Sequence, residues 1–208
     1  MSTHQVSETS IANAALTLLG ERRIDSLEAD SKTAKLLKER FAEVRDDTLR
    51  SYPWSFATRR ASLASNATPP VWQFDYAYDF PTDLLRLVNV DNPGDQPYRV
   101  EGRKIVTDMG PPINIEYTAC VTDVSQMDVL FRQAFAAALA LDVAEAVTGT
   151  STKVEELREA FKQKLRAART PDSQEPSVRV IEASDWLDSR EETGFVRRID
   201  LSDDGFPL

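Results

Sequence analysis

The sequence predicts a mostly α, α+β fold: a four-helix bundle with a small inserted antiparallel β-lobe and an extended C-terminal arm. Three observations predict it. Apolar residues recur at helical spacing in four segments, two before residue 60 and two after residue 125. Between them, residues 71–121 change to short alternating runs broken by turn residues. After Pro171 the chain becomes acidic, with only isolated apolar residues. The expected divisions are 1–60 for the first half of the bundle, 61–124 for the β-lobe, 125–169 for the second half, and 170–208 for the arm.

The first helix is expected over residues 7–19. Ser7 or Thr9 caps its free N–H groups, and Glu8 sits at its positive end. Ile11, Ala14, Ala15, Leu18 and Leu19 form one apolar face, and Gly20 suits the left-handed conformation that ends a helix. The second helix begins at Asp30 or Ser31. Its stripe is Ala34, Leu37, Phe41, Val44 and Thr48/Leu49, opposite a face carrying Lys38, Glu39, Glu43, Arg45, Asp46 and Asp47. Pro53 ends it, because the residue before a proline is pushed out of the α region. An aromatic and basic knot follows, from Pro53 through Trp54 and Phe56 to Arg59 and Arg60.

Residues 61–70, rich in small residues and ending in two prolines, read as a linker. In the next run Trp72, Phe74, Tyr76 and Tyr78 fall on one face of a strand. LLRLVNV, YRVEGRKIVTD and INIEYTACV supply further strands, separated by Asn92-Pro93-Gly94, Glu101-Gly102 and Gly110-Pro111-Pro112. A third helix over residues 125–148 is alanine-rich and apolar almost all round. That composition places it at the centre of the bundle. The fourth, residues 152–168, carries Val154, Leu157, Phe161, Leu165 and Ala168 on one face.

Composition narrows the function classes. A net charge of −9 argues against a binder of the nucleic-acid backbone, which normally presents a basic face. Cys120 is the one cysteine, so no intrachain disulfide forms, and its apolar run reads as a buried strand. The single histidine, His4, lies near the start of the chain, which leaves Ser-His-Asp and histidine metal sites without a member. No Gly-rich phosphate loop is present. The first ten residues lack the basic and apolar blocks of a signal peptide, and no apolar run approaches the roughly 20 residues that span a bilayer. The expectation is a protein made and folded in a cytoplasm, with no cofactor and no catalytic residues. The adjacent carboxylates Asp46 and Asp47 point about 100° apart on a helix, so they cannot flank one bond.

The arm, residues 170–208, holds ten acidic and four basic residues, so most of the charge imbalance sits there. Val180, Ile181, Trp186, Leu187 and Phe195 are spaced apolar anchors within it, as expected of a segment that orders on a partner. With Trp54, Arg59 and Arg60, they are the candidate partner-binding residues, toward another protein or a neighbouring subunit.

Taken in order, the chain resembles a known family. The pieces are Ala15-Leu16 to Leu19-Gly20; Ile24-Asp25-Ser26-Leu27; Phe41 and Arg45-Asp46; and Leu49-Arg50 leading to Pro53-Trp54-Ser55-Phe56-Ala57, then Arg59-Arg60 with Leu63. They continue with Trp72 to Tyr78, Pro81 to Arg86, Val100-Glu101-Gly102 with Ile105, Ile115-Glu116-Tyr117, and the alanine-rich stretch from Phe131 to Leu141. This combination, over roughly residues 10–168, resembles the head-to-tail adaptors of short-tailed bacteriophages, the tail tubular protein A family. The resemblance implies a virion structural protein without enzymatic activity. It would form a closed ring of about twelve copies between the portal and the tail nozzle, around the channel through which DNA leaves. It also implies a helical bundle with an inserted β-lobe, and a C-terminal extension able to reach the portal. The competing readings are a tail-associated cell-wall hydrolase, which needs two carboxylates in a cleft, and a generic helical binding module.

Overall fold

The computed structural model describes residues 6–148 and 151–172. The chain divides into two units, Met1–Glu175 and Pro176–Leu208, and all the described residues belong to the first. The expected arm, with Val180, Ile181, Trp186, Leu187 and Phe195, lies outside the described residues, as does His4.

Among the described residues the architecture is mixed α+β, with four α-helices and two three-stranded antiparallel sheets. This corrects the expected four-helix bundle with a small lobe. The β part is not an appendage, because its two sheets enclose a core of their own.

The helices are α1 (Glu8–Leu19), α2 (Lys32–Arg50), α3 (Val129–Thr148) and α4 (Ser151–Asp172). Ser7 caps α1 in a reciprocal box with Ser10, and Gly20 closes it with φ of 79°. The Ser31 hydroxyl caps α2 by accepting from the Ala34 N–H. Helix α3 is the hub, and α1, α2 and α4 each pack on it. Its small residues explain this: Ala134, Ala136, Ala137, Ala140 and Ala144 are all buried, so three neighbours can approach one axis. The α1–α2 connector is held by Asn13, whose side chain accepts from the Ile24 N–H at 2.8 Å and donates to the Ile24 carbonyl at 2.9 Å.

The strands are β1 (Thr58–Leu63), β2 (Tyr76–Asp79), β3 (Leu84–Val90), β4 (Tyr98–Glu101), β5 (Lys104–Thr107) and β6 (Ile113–Ala119). One sheet has the order β1-β6-β3 and the other β2-β5-β4. Strand β1 covers residues expected to be the end of the knot and a linker. It pairs in unbroken register with β6, from Thr58 opposite Thr118 to Leu63 opposite Ile113. Leu84, Val90, Ile113, Ile115 and Tyr117 from the first sheet meet Tyr78 and Ile105 from the second to form the β core. Tyr78 donates its hydroxyl to the Met109 carbonyl at 2.6 Å, so its buried polar end is satisfied. Glycine is required at the β4–β5 hairpin, where Gly102 has φ of 59°.

The expected strand beginning at Trp72 is also corrected. Gln73 takes φ of 75°, which breaks the alternation. Only Tyr76–Asp79 pairs as β2. Phe74 instead folds onto Ala77 and Val106, on the opposite face of the second sheet.

Candidate functional site

Trp54 is 1% exposed. Its ring packs edge-on to Tyr52 and Phe131 and is stacked with Phe56, and its indole N–H donates to the Thr48 carbonyl at 3.2 Å. It therefore anchors the end of α2 to α3, and within this chain it offers no surface to a partner. Arg59 is engaged too, donating to Asp83 at 2.7 Å. The other oxygen of Asp83 accepts from the Tyr117 hydroxyl at 3.2 Å. Burial, and then the Asp83 carboxylate, push the Tyr117 phenol up from its ordinary value. Arg60 projects from the open face of the first sheet, beside Asp91 and Glu116. The structure thus separates the three knot residues into a core anchor, an ion-paired link between strands and an exposed side chain.

Helix α4 runs past its expected end, and its last residue returns to the knot. Asp172 accepts the Ser55 N–H at 2.9 Å, and Arg169 donates to the Ser51 carbonyl at 3.3 Å with its guanidinium 5.4 Å from the Tyr52 ring centre. Arg45, expected on the charged face of α2, is 8% exposed. It donates to Asp46 at 2.8 Å and to the Cys120 sulfur at 3.6 Å, while the Cys120 thiol donates to Asp46 at 3.4 Å. Burial opposes the Arg45 charge, and the Asp46 carboxylate outweighs it. Burial pushes the Cys120 thiol up, and Asp46 adds to the rise. This cluster locks α2 to the residue that follows β6, and its thiol is held protonated rather than activated.

Three surface features remain. A groove of about 390 Å³ between α2, α3 and α4 is floored by Ala138 and Leu141 and flanked by Phe161 and Leu165. Its polar end is already closed: Arg40 grips both oxygens of Asp142 at 2.7 and 2.9 Å and Glu43 at 2.5 Å. Those carboxylates hold the Arg40 guanidinium protonated far above its ordinary range, chiefly through Asp142. The second feature is the loop tip at Val71 and Trp72, 100% and 75% exposed. Here two large apolar side chains stand mostly in water.

The third feature is a cleft of about 330 Å³ between the outer strands of the two sheets. Its walls carry Phe80, Leu87 and Val100, and its rim carries Arg50, Arg86 and Arg103. No carboxylate pairs with these arginines among the described residues. Arg50 donates to the Leu85 carbonyl, Arg86 to the Arg50 carbonyl at 3.4 Å, and Arg103 to the Pro81 carbonyl at 2.6 Å. Sequence reading missed this convergence because the arginines come from a helix end, a strand and a hairpin. Only the pairing of the strands brings them together.

Among the described residues no group of three or more histidine, cysteine or acidic side chains could hold a metal ion, and no helix is long and apolar enough to cross a membrane. Compared with protein-family models and with curated proteins, the chain matches none.

Proposed function

We propose that the protein is a virion structural protein, a head-to-tail adaptor of a short-tailed bacteriophage. Copies of it form a ring between the portal and the tail nozzle and line the DNA exit channel. The observation that carries this reading is the ordered run of motifs from Ala15 to Leu141. The positions of those motifs support it, since several fall where elements are joined. Arg45-Asp46 meets Cys120, Trp54 meets Phe131, and Asp83 meets Arg59 and Tyr117. A motif set that maintains joints suits a scaffold more than a reaction centre.

The uncovered tip at Val71 and Trp72 and the open outer strands are surfaces of the kind that assembly covers. The net charge of −9 on each copy discourages adhesion of the passing DNA by like-charge repulsion. The protein acts without catalysis or cofactor. It is made in the host bacterial cytoplasm and resides in the virion neck. The acidic segment carrying Val180, Ile181, Trp186, Leu187 and Phe195 supplies contacts to the portal or a neighbouring copy, spending its ordering entropy only when that receptor is present.

Electron microscopy of the purified chain, alone and mixed with its phage's portal protein, tests the reading. Rings seated on the portal are expected. A chain that stays monomeric in the mixture would overturn it.

A further inference from the structure

We propose that the cleft rimmed by Arg50, Arg86 and Arg103 receives the acidic C-terminal segment of a second copy of this chain, laid along it as an added strand. The inference rests on the self-assembly just proposed and names a receptor for the segment. Three observations carry it. First, the chain has nine more acidic than basic residues, yet these three guanidiniums meet only backbone carbonyls among the described residues. Each guanidinium has five N–H donors, so most of its hydrogen-bonding capacity remains for an incoming carboxylate.

Second, the cleft is bordered by β3 and β4, each the outer strand of its sheet. Such an edge presents unpaired backbone groups, which an extended peptide satisfies and a free phosphate or a nucleic-acid backbone does not. Phe80, Leu87 and Val100 add apolar walls that a phosphodiester would leave unmatched. Third, the segment after Asp172 has the matching chemistry. It contains the β-prone run Val178-Arg179-Val180-Ile181, then Glu182, Asp185 and Asp188 around Trp186 and Leu187. Its 36 residues can span up to about 120 Å when extended, enough to reach a neighbouring molecule.

The test uses the full chain with the photo-crosslinking residue p-benzoylphenylalanine in place of Val100, mixed with an isotope-labelled copy that lacks it. Irradiation is expected to give an adduct joining position 100 of one copy to residues 173–208 of the other. Reversing two rim charges, R86E with R103E, places like charges together and lowers the adduct yield by about tenfold. A partner copy carrying E182K, D185K and D188K restores it. If R86E/R103E does not fold, the E182K/D185K/D188K copy against the unaltered cleft gives the same reading, because those changes leave every residue of the cleft untouched. An adduct formed only within one copy, an adduct to another segment, or a yield indifferent to these charges overturns the proposal. So does a cleft that crosslinks to an added oligonucleotide instead. Rings on the portal without the adduct would remove this inference and leave the adaptor reading. The adduct without rings on the portal would do the reverse.

Discussion

Asp172 and Ser55 meet at 2.9 Å, the carboxylate of one accepting the backbone N–H of the other across 117 residues. The contact fastens the last turn of α4 to the short turn after α2, and Asp172 is itself buried. Asp172→Ala leaves the Ser55 N–H without its acceptor and is expected to destabilise the fold by about 1–2 kcal/mol. The check is a urea titration: the midpoint falls while the slope is unchanged.

Asn13 is a second long-range tie and a more exacting one, since it uses both ends of its amide on the backbone of Ile24. Asn13→Asp keeps the size and the acceptor but loses the donor to the Ile24 carbonyl and sets a carboxylate against it. A loss of about 2–3 kcal/mol is expected, larger than at Asp172 because a part-buried charge faces a carbonyl. Hydrogen exchange at the Ile24 amide should accelerate more than at amides in α3.

Trp54 and Trp72 separate stability from assembly. Trp54→Ala removes a fully buried ring system and is expected to cost about 3–5 kcal/mol. Trp72→Ala touches an exposed tip and is expected to change stability by less than about 0.5 kcal/mol. Calorimetry of the free chains measures both. Particle images with portal should show the Trp72→Ala chain folded but deficient in rings.

Cys120 gives a pH prediction. Burial, with Asp46 adding to it, raises its pKa in the folded state, so the native chain keeps the proton to higher pH than the unfolded chain. That stabilisation is fully present below the ordinary thiol value of about 8.5 and is lost as pH rises through the folded value. Cys120→Ala should flatten this alkaline decline in the unfolding free energy. In the unaltered chain, iodoacetamide should react with the native thiol more slowly at pH 8 than with a free cysteine.

What could be read from the sequence divides along physical lines. Helices α1 and α2 were legible because their signals are local: a capping serine, a stripe at spacing three and four, and a glycine or proline at the end. Strand β1 was not, because TRRASL lies at a sheet edge and has only Leu63 buried, so it lacks an apolar alternation. At Trp72 the pattern misled. The alternation from Trp72 to Tyr78 is that of a strand, but only the backbone turn at Gln73 decides where pairing starts. The buried Arg45 was hidden by its charged neighbours, since its partner Cys120 lies 75 residues away. The rim of the cleft follows from strand order, which no single segment encodes.

The position of α3 has a consequence for synthesis. Among the described residues, the helix on which α1, α2 and α4 all pack is encoded after all six strands. A nascent chain that has emerged only as far as β6 carries α1 and α2 with their apolar stripes uncovered, and they have no common surface to settle on. The helical layer therefore closes late, through contacts distant in sequence, which favours slow folding and an interval of vulnerability to aggregation. Ribosome-bound chains halted before Phe131 should recruit chaperones that chains halted beyond Asp172 no longer hold.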